Sequence, residues 1–249
     1  MNPKMQRRDF LKLMSAGVAG AGAMIGTMAV AAQTGTETPV PTTEHDGMSM
    51  DSGGAADWQA MNQHHEAGVK TYLDNIGKDP VFWRQPLEFT MDGDVKVFEI
   101  SVQEIDWETA PGMVYPAMSY NGIVPGPEIR VTEGDKVRVM VTNEMSQSTA
   151  VHFHGLIIPN NVDGVPFVTQ SPINPGETAS LEFTTRNFGS HMYHSHHNAA
   201  EQTTRGLLGA FIIAPKDASR EPKVDGDYVL VLNDSALGFT LNGKSFPYT

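Results

Sequence analysis

At 249 residues the chain can bury one substantial core and part of another, since domains usually run to about 100 to 150 residues. Its 17 Lys and Arg stand against 29 Asp and Glu, a formal charge of −12. That leaves no basic surface to hold nucleic acid or anionic lipid, so nucleic acid is excluded as a main partner. Cysteine is absent, which excludes disulfides, thiolate zinc sites, iron–sulfur clusters and cysteine nucleophiles. A metal bound here binds to nitrogen and oxygen.

The first segment carries Arg7, Arg8, Asp9, Phe10, Leu11 and Lys12, followed by an uncharged Ala/Gly/Met/Val run from Leu13 to Ala32. A basic start, a weakly apolar middle and a small-residue exit predict a secretory signal over 1–32, and the paired arginines resemble the twin-arginine type. Leu13–Ala32 is long enough to span a bilayer, but its many Gly, Ala and Ser residues favour the signal over a membrane anchor. Removing 1–32, with its four basic residues and one acidic, leaves a mature charge of −15.

A linker follows over 33–79. Up to about Gly54 it is Thr, Pro, Gly and Ser with almost no apolar pattern, too little to offset the entropy of ordering. His45, Met48 and Met50, with Met61, His64 and His65, suit copper as thioether and imidazole donors. A plain spacer followed by a helix accounts for the same residues and is the favoured reading. Trp58, Met61, Val69 and Tyr72 recur at helical spacing behind Asp57, an N-cap residue, so a short amphipathic helix is expected over Asp57–Asn75 despite Gly68.

From Leu87 the period switches to two, and a domain is expected over 80–216. Leu87, Phe89 and Met91 lead into Asp92-Gly93, a hairpin dipeptide, and Val95, Val97 and Ile100 follow. Ile129 and Val131, then Val137, Val139 and Val141, then Val151–Ile158, Ala179–Thr184, Ser190–His196 and Leu207–Ile213 complete a series of short strands. Such spacing with Gly, Pro and Asn turns predicts an all-β antiparallel sandwich or barrel. After an exposed stretch over 216–227, a strand over Tyr228–Leu232 and a hairpin turning at Asn242-Gly243 are expected. Two or three strands are not stable alone, so 225–249 reads as the front of a second, truncated domain with an exposed edge.

Two short motifs organise the chain. One is His152-Phe153-His154-Gly155 and the other His194-Ser195-His196 within Gly189–His197. Every second side chain of a strand shares a face, so each pair looks one way, and two adjacent strands would gather four imidazoles. Imidazoles packed that densely call for a metal such as copper or zinc, against the bland alternative of two surface pairs. By the same alternation His191, Tyr193 and His197 face away, as surface or core residues. An all-histidine set disfavours structural zinc, which prefers cysteine-rich tetrahedra.

The order of these motifs is similar to one family. Tyr120-Asn121-Gly122, Pro125-Gly126-Pro127-Glu128-Ile129-Arg130, the two His-X-His motifs, Asp163-Gly164-Val165-Pro166 through Thr169-Gln170, Pro175-Gly176, Gly206-Leu207-Leu208-Gly209 and Asn242-Gly243-Lys244-Ser245-Phe246-Pro247 resemble the laccase-like multicopper oxidases, in particular their short two-domain type. The resemblance covers about residues 80–249. It implies a cupredoxin-like Greek-key β-sandwich over 80–216 and the start of a second cupredoxin domain over 225–249. It makes His152 a ligand of a type 2 copper, and His154, His194 and His196 ligands of a type 3 pair. These are half of a trinuclear cluster, completed by a domain that also holds the blue type 1 copper.

The activity implied is one-electron oxidation of a small reducing substrate (a phenol, an amine or a metal ion) coupled to reduction of O2 to water. The protein would be periplasmic or extracellular, and a homotrimer if it has two cupredoxin domains. Asp163 matches the family's proton-relay acid, though a turn Asp before Gly164 is an equal reading. Ser195 stands where a copper nitrite reductase-like domain carries cysteine, which argues against that relative. A non-catalytic exported copper-binding or copper-tolerance protein is the alternative from another class.

Overall fold

The computed structural model describes residues 57–249 except 77, 80, 81, 84 and 85. The signal over 1–32, Leu13–Ala32 and the motif residues His45, Met48 and Met50 lie outside the described residues. The expected helix is present as α1 (Trp58–Asn75), capped by the Asp57 carboxylate, which accepts from the Gln59 and Ala60 amides at 3.0 and 3.2 Å. None of its residues is buried. It is not apolar enough to be a candidate membrane span, nor is any other described helix.

Two sheets face each other. The first contains β1 (Thr90–Asp92), β2 (Val95–Ala110), β5 (Lys136–Asn143) and β7 (Thr178–Thr184) in that order, with β3 (Met113–Tyr120) also on β2. The second runs β4 (Gly126–Thr132), β9 (Leu208–Ala214), β8 (Gly189–His194) and β6 (His152–His154). The neighbours β2–β5 and β4–β9 are parallel, the rest antiparallel. The sandwich is mostly antiparallel as expected, with two parallel pairs that the sequence did not reveal. Each joins strands far apart in the chain, so local turn chemistry could not report it.

The inward faces follow the alternation of the sequence. Phe98, Ile100 and Val102 of β2 and Val137, Val139 and Val141 of β5 meet Ile129, Val131, Phe153, Tyr193, Phe211 and Ile213 of the second sheet. All are almost fully buried, and side chains of the Val, Leu, Ile and Phe kind contribute about 1.5–3 kcal/mol each on burial. The Asp92-Gly93 turn closes β1 on β2 as expected, with Gly93 at φ 63°. Extension of β2 to Ala110 and its return as β3 were not anticipated. Acidic Glu104, Asp106 and Glu108 interrupt the apolar alternation there, and Pro116 sits within β3.

Tyr193 fixes the seam between β8 and β9. Its hydroxyl donates to the Pro127 carbonyl at 2.6 Å, and a Cβ on Gly209 would lie 2.4 Å from its ring. Only glycine lets the backbone come so close.

The last stretch departs from expectation. The strand expected over Tyr228–Leu232 begins only at Leu232, and β10 (Leu232–Ser235) pairs with β11 (Gly238–Leu241). The Asn242-Gly243 turn is present, with φ 49° and 77° and Leu241 bridged to Lys244. The two strands pair with no other strand and leave Leu232 and Phe239 exposed, as expected of a free edge, but the segment also docks on the sandwich. Leu237 is buried with Trp107, Ala117 and Val124 in a second small core. The Trp107 indole donates to the Gly243 carbonyl at 2.7 Å, and the Ser245 amide to the Thr109 carbonyl at 2.8 Å.

Candidate metal centre

The histidine motifs sit on β6 and β8, edge neighbours in the second sheet. Phe153 and Tyr193 point into the core, so their neighbours in sequence point outward. The register pairs His152 with His194 and His154 with Met192. Directly opposed residues share a face, so His152, His154 and His194 project together from the outer face of the sheet. His196 lies two residues beyond the end of β8.

All four come together as the sequence predicts. The His152 ring centre lies 5.6 Å from that of His154 and 5.3 Å from those of both His194 and His196. His154 and His194 are 5.5 Å apart, His194 and His196 6.1 Å. The coordinating nitrogens of His152, His154 and His194 lie within 4.8 Å of one another. Two nitrogens on one ion span at most about 4 Å, twice a metal–imidazole bond of about 2.0–2.1 Å. Small ring movements would gather them on one ion.

The orientation of two rings is fixed from behind. His152 Nδ1 faces the Asp163 carbonyl oxygen at 2.5 Å and His194 Nδ1 faces the Ser195 carbonyl oxygen at 2.9 Å. A carbonyl only accepts, so Nδ1 carries the proton in both and the Nε2 lone pair is the free donor. His154 Nδ1 and His194 Nε2 face each other at 3.2 Å, two nitrogens competing for one proton or aimed at one ion. Burial, followed by the nearby His152, His154 and His196, lowers the His194 pKa from its ordinary 6.5, partly opposed by the Ser195 carbonyl. The neutral, metal-binding form is therefore favoured at neutral pH.

Asp163 is held here by a close backbone approach. Gly164, at φ 80°, lies so near β6 that a Cβ would fall 1.9 Å from the Val151 carbonyl oxygen. This presses the Asp163-Gly164 turn against His152, and the Asp163 carboxylate lies 3.6 Å from His152 Nδ1. Asp163 remains about one-third exposed, so it touches both solvent and the site. His191 instead faces the Asn187 carbonyl at 3.1 Å, and the His197 ring lies 6.3 Å from that of Phe167. Neither ring is among those of the cluster, as the alternation predicts.

Sequence reasoning did not find the polar side chains beneath the histidines. Ser195, Thr149 and Gln202 are buried and hydrogen-bonded to one another. A buried serine between two histidines was the available signal. Gln202, in the short helix α2 (Ala199–Gln202), has no periodic pattern that could mark it.

A two-sheet sandwich carrying four convergent imidazoles, with cysteine absent from the sequence, is a cupredoxin-like domain whose donor set fits copper. Residues 101–218 match the family model described as Multicopper oxidase, so this part of the chain is a multicopper oxidase-family domain. Over 138 residues it is 37% identical to Copper resistance protein A of Pseudomonas syringae pv. tomato, covering 55% of this chain and 22% of the relative. Over 130 residues it is 41% identical to Laccase-1 of Botryotinia fuckeliana, covering 51% and 22%. Among solved structures, the Blue Copper Oxidase from Nitrosomonas europaea superposes with a TM-score of 0.57 at 34% identity, covering 61% of this chain and 55% of that one. The chain thus spans about a fifth of the length of these curated relatives.

Proposed function

We propose that His152, His154, His194 and His196 supply half of a trinuclear copper site, His152 toward a type 2 copper and the other three toward a type 3 pair. The protein would be an exported oxidoreductase that couples oxidation of a small reducing substrate to reduction of O2 to water. The observation that carries this reading is the convergence of His152, His154 and His194 from two paired strands, joined by His196 from just beyond β8, inside a multicopper oxidase domain. Copper held there would supply the one-electron redox chemistry that links substrate to O2.

The chain's own part is to bind, orient and move protons. His152 and His194 present Nε2 because their Nδ1 protons are engaged from behind, which sets both tautomer and direction. Asp163, between solvent and the His152 ring, would take protons from water and pass them into the site. His154 and His196 are exposed, so the cluster opens outward, and the remaining ligands would come from another domain across that opening. If the whole protein has two such domains, a homotrimer would bring one subunit's histidines to the next subunit's completing domain. A signal over 1–32 would send the protein to the periplasm or exterior, and 225–249 would be the opening of the next cupredoxin domain.

A second reading, that this is a copper-tolerance protein holding copper without turnover, draws on the similarity to Copper resistance protein A of Pseudomonas syringae pv. tomato. The two separate on titrating the chain with cupric ion. Nitrogen-only ligation by electron paramagnetic resonance, lost in His194→Ala, without blue colour or O2 consumption, is expected of the chain alone. O2 consumption after addition of a polypeptide bearing the completing domain supports the oxidase, and copper held with no such gain supports the non-catalytic protein. Absence of imidazole ligation by the unsubstituted chain would overturn both.

A further inference from the structure

Three of the four histidines belong to strands, and the β6–β8 register fixes them. His196 does not: β8 ends at His194, the last backbone bond to the neighbouring segment is from the Ser195 amide to the Leu207 carbonyl at 3.0 Å, and the chain then turns toward α2. Something other than strand pairing must place its ring 5.3 Å from that of His152.

Gln202 occupies the position from which this can be done. Its side chain is fully buried, and its amide makes four hydrogen bonds. Oε1 accepts from Ser195 Oγ at 2.6 Å and from Thr149 Oγ1 at 2.9 Å. Nε2 donates to Gln147 Oε1 at 2.9 Å and to the Ser148 carbonyl at 2.8 Å. A primary amide offers two donors and two acceptor lone pairs, so every capacity of this group is used. On one side it holds the residue between His194 and His196, and on the other the segment that enters β6 just before His152.

Ser195 carries the link onward. Its hydroxyl accepts from the His197 amide at 3.2 Å, and its carbonyl accepts from His194 Nδ1 at 2.9 Å and from Thr203 Oγ1 at 3.1 Å. The peptides on either side of His196 are therefore anchored to the amide that also holds residues 147–149.

We infer that Gln202 is a positioning residue for His196, acting through Ser195, and that it joins the two His-X-His motifs from beneath. This deepens the copper reading above, since it concerns how the fourth imidazole of that site is set. Glutamine suits the task because one planar group satisfies both segments at once, and a fully satisfied buried network specifies a single arrangement. A shorter or apolar side chain would leave buried hydroxyl and carbonyl groups without partners.

The test is made on the full chain, first free of metal. The His152–His196 and His152–His194 ring centres are both 5.3 Å apart, so their nuclear Overhauser cross-peaks form a matched pair, the second serving as an internal standard. In Gln202→Leu the His152–His196 peak is expected to vanish while the His152–His194 peak persists. Ser195→Ala, which removes one hydroxyl, carries the same expectation if Gln202→Leu does not fold. Titration with cupric ion should then show a loss of affinity of about tenfold to a hundredfold, usual for removal of a group that orients a metal ligand. In a His196→Ala background the same substitutions should cause no further loss.

A His152–His196 cross-peak retained in both variants would overturn the inference, whether or not copper binds. So would an undiminished affinity loss in the His196→Ala background, since the network would then be acting on the fold at large. Failure of the unsubstituted chain to bind cupric ion would instead overturn the copper reading, with the metal-free spectra still deciding the role of Gln202.

Discussion

Two regions of the domain bring distant residues together by opposite means. At the docked tail, Trp107 and Gly243 meet across 136 positions of sequence, and the joint is closed by burial. Leu237 fills a small core against Trp107, Ala117 and Val124. The Lys244 ammonium, itself buried, lies 3.0 Å from the Asp79 carboxylate, donates to the Glu108 carbonyl at 2.9 Å and covers the Trp107 ring. Gly243 approaches so closely that a Cβ would sit 1.9 Å from the Val124 carbonyl oxygen.

At the histidine face the imidazoles are held by strand register and by hydrogen bonds from behind, while His154 and His196 stay exposed. A closed joint gains stability from apolar burial, and its buried ammonium is tolerated because it is paired. An open metal site forgoes that gain on its outer side and takes its order from the shell beneath. The tail should therefore govern stability, and the histidine face should govern metal binding with little effect on stability.

The largest effect on this contrast comes from Trp107→Ala, which removes the centre of the small core and the donor to Gly243. Loss of a buried Trp costs about 3–5 kcal/mol, to be read from denaturant unfolding. The protein that remains folded should bind cupric ion as before. An equal loss of copper affinity would show that the tail and the site are one unit.

Acid should act on the histidine face. The folded His194 pKa is lowered, so below the ordinary value of about 6.5 the unfolded chain takes up its proton first and binds more protons than the folded one. Stability from this residue is fully present above about pH 6.5 and falls as pH drops through the window toward the lowered value. In His194→Ala this part of the decline should be missing from unfolding curves measured across that range. An unchanged pH profile would place the acid response elsewhere.

The smallest effect on stability is expected from His196→Ala. The residue is exposed and outside the strand, and such surface changes stay within about 0.5 kcal/mol. Cupric-ion affinity should nevertheless fall. A large loss of stability would show that this imidazole is part of the packing.

The sequence by itself determined the alternation that turns His152, His154 and His194 away from Phe153 and Tyr193. It also determined the Asp57 cap and the tight turns at Asp92-Gly93 and Asn242-Gly243, because each depends on side chains and backbone within a few residues. The convergence of the four imidazoles was foreseeable from the two motifs together. Only the tertiary structure decided the opposition of His152 to His194, the parallel pairing of β2 with β5 and β4 with β9, and the docking of Leu237 and Lys244 around Trp107. It alone decided that the Gln202 amide holds Ser195 and Thr149 together. These are bonds between groups far apart along the chain. Which buried donor meets which acceptor is settled only when the two sheets have closed over the core and every enclosed polar group must find a partner.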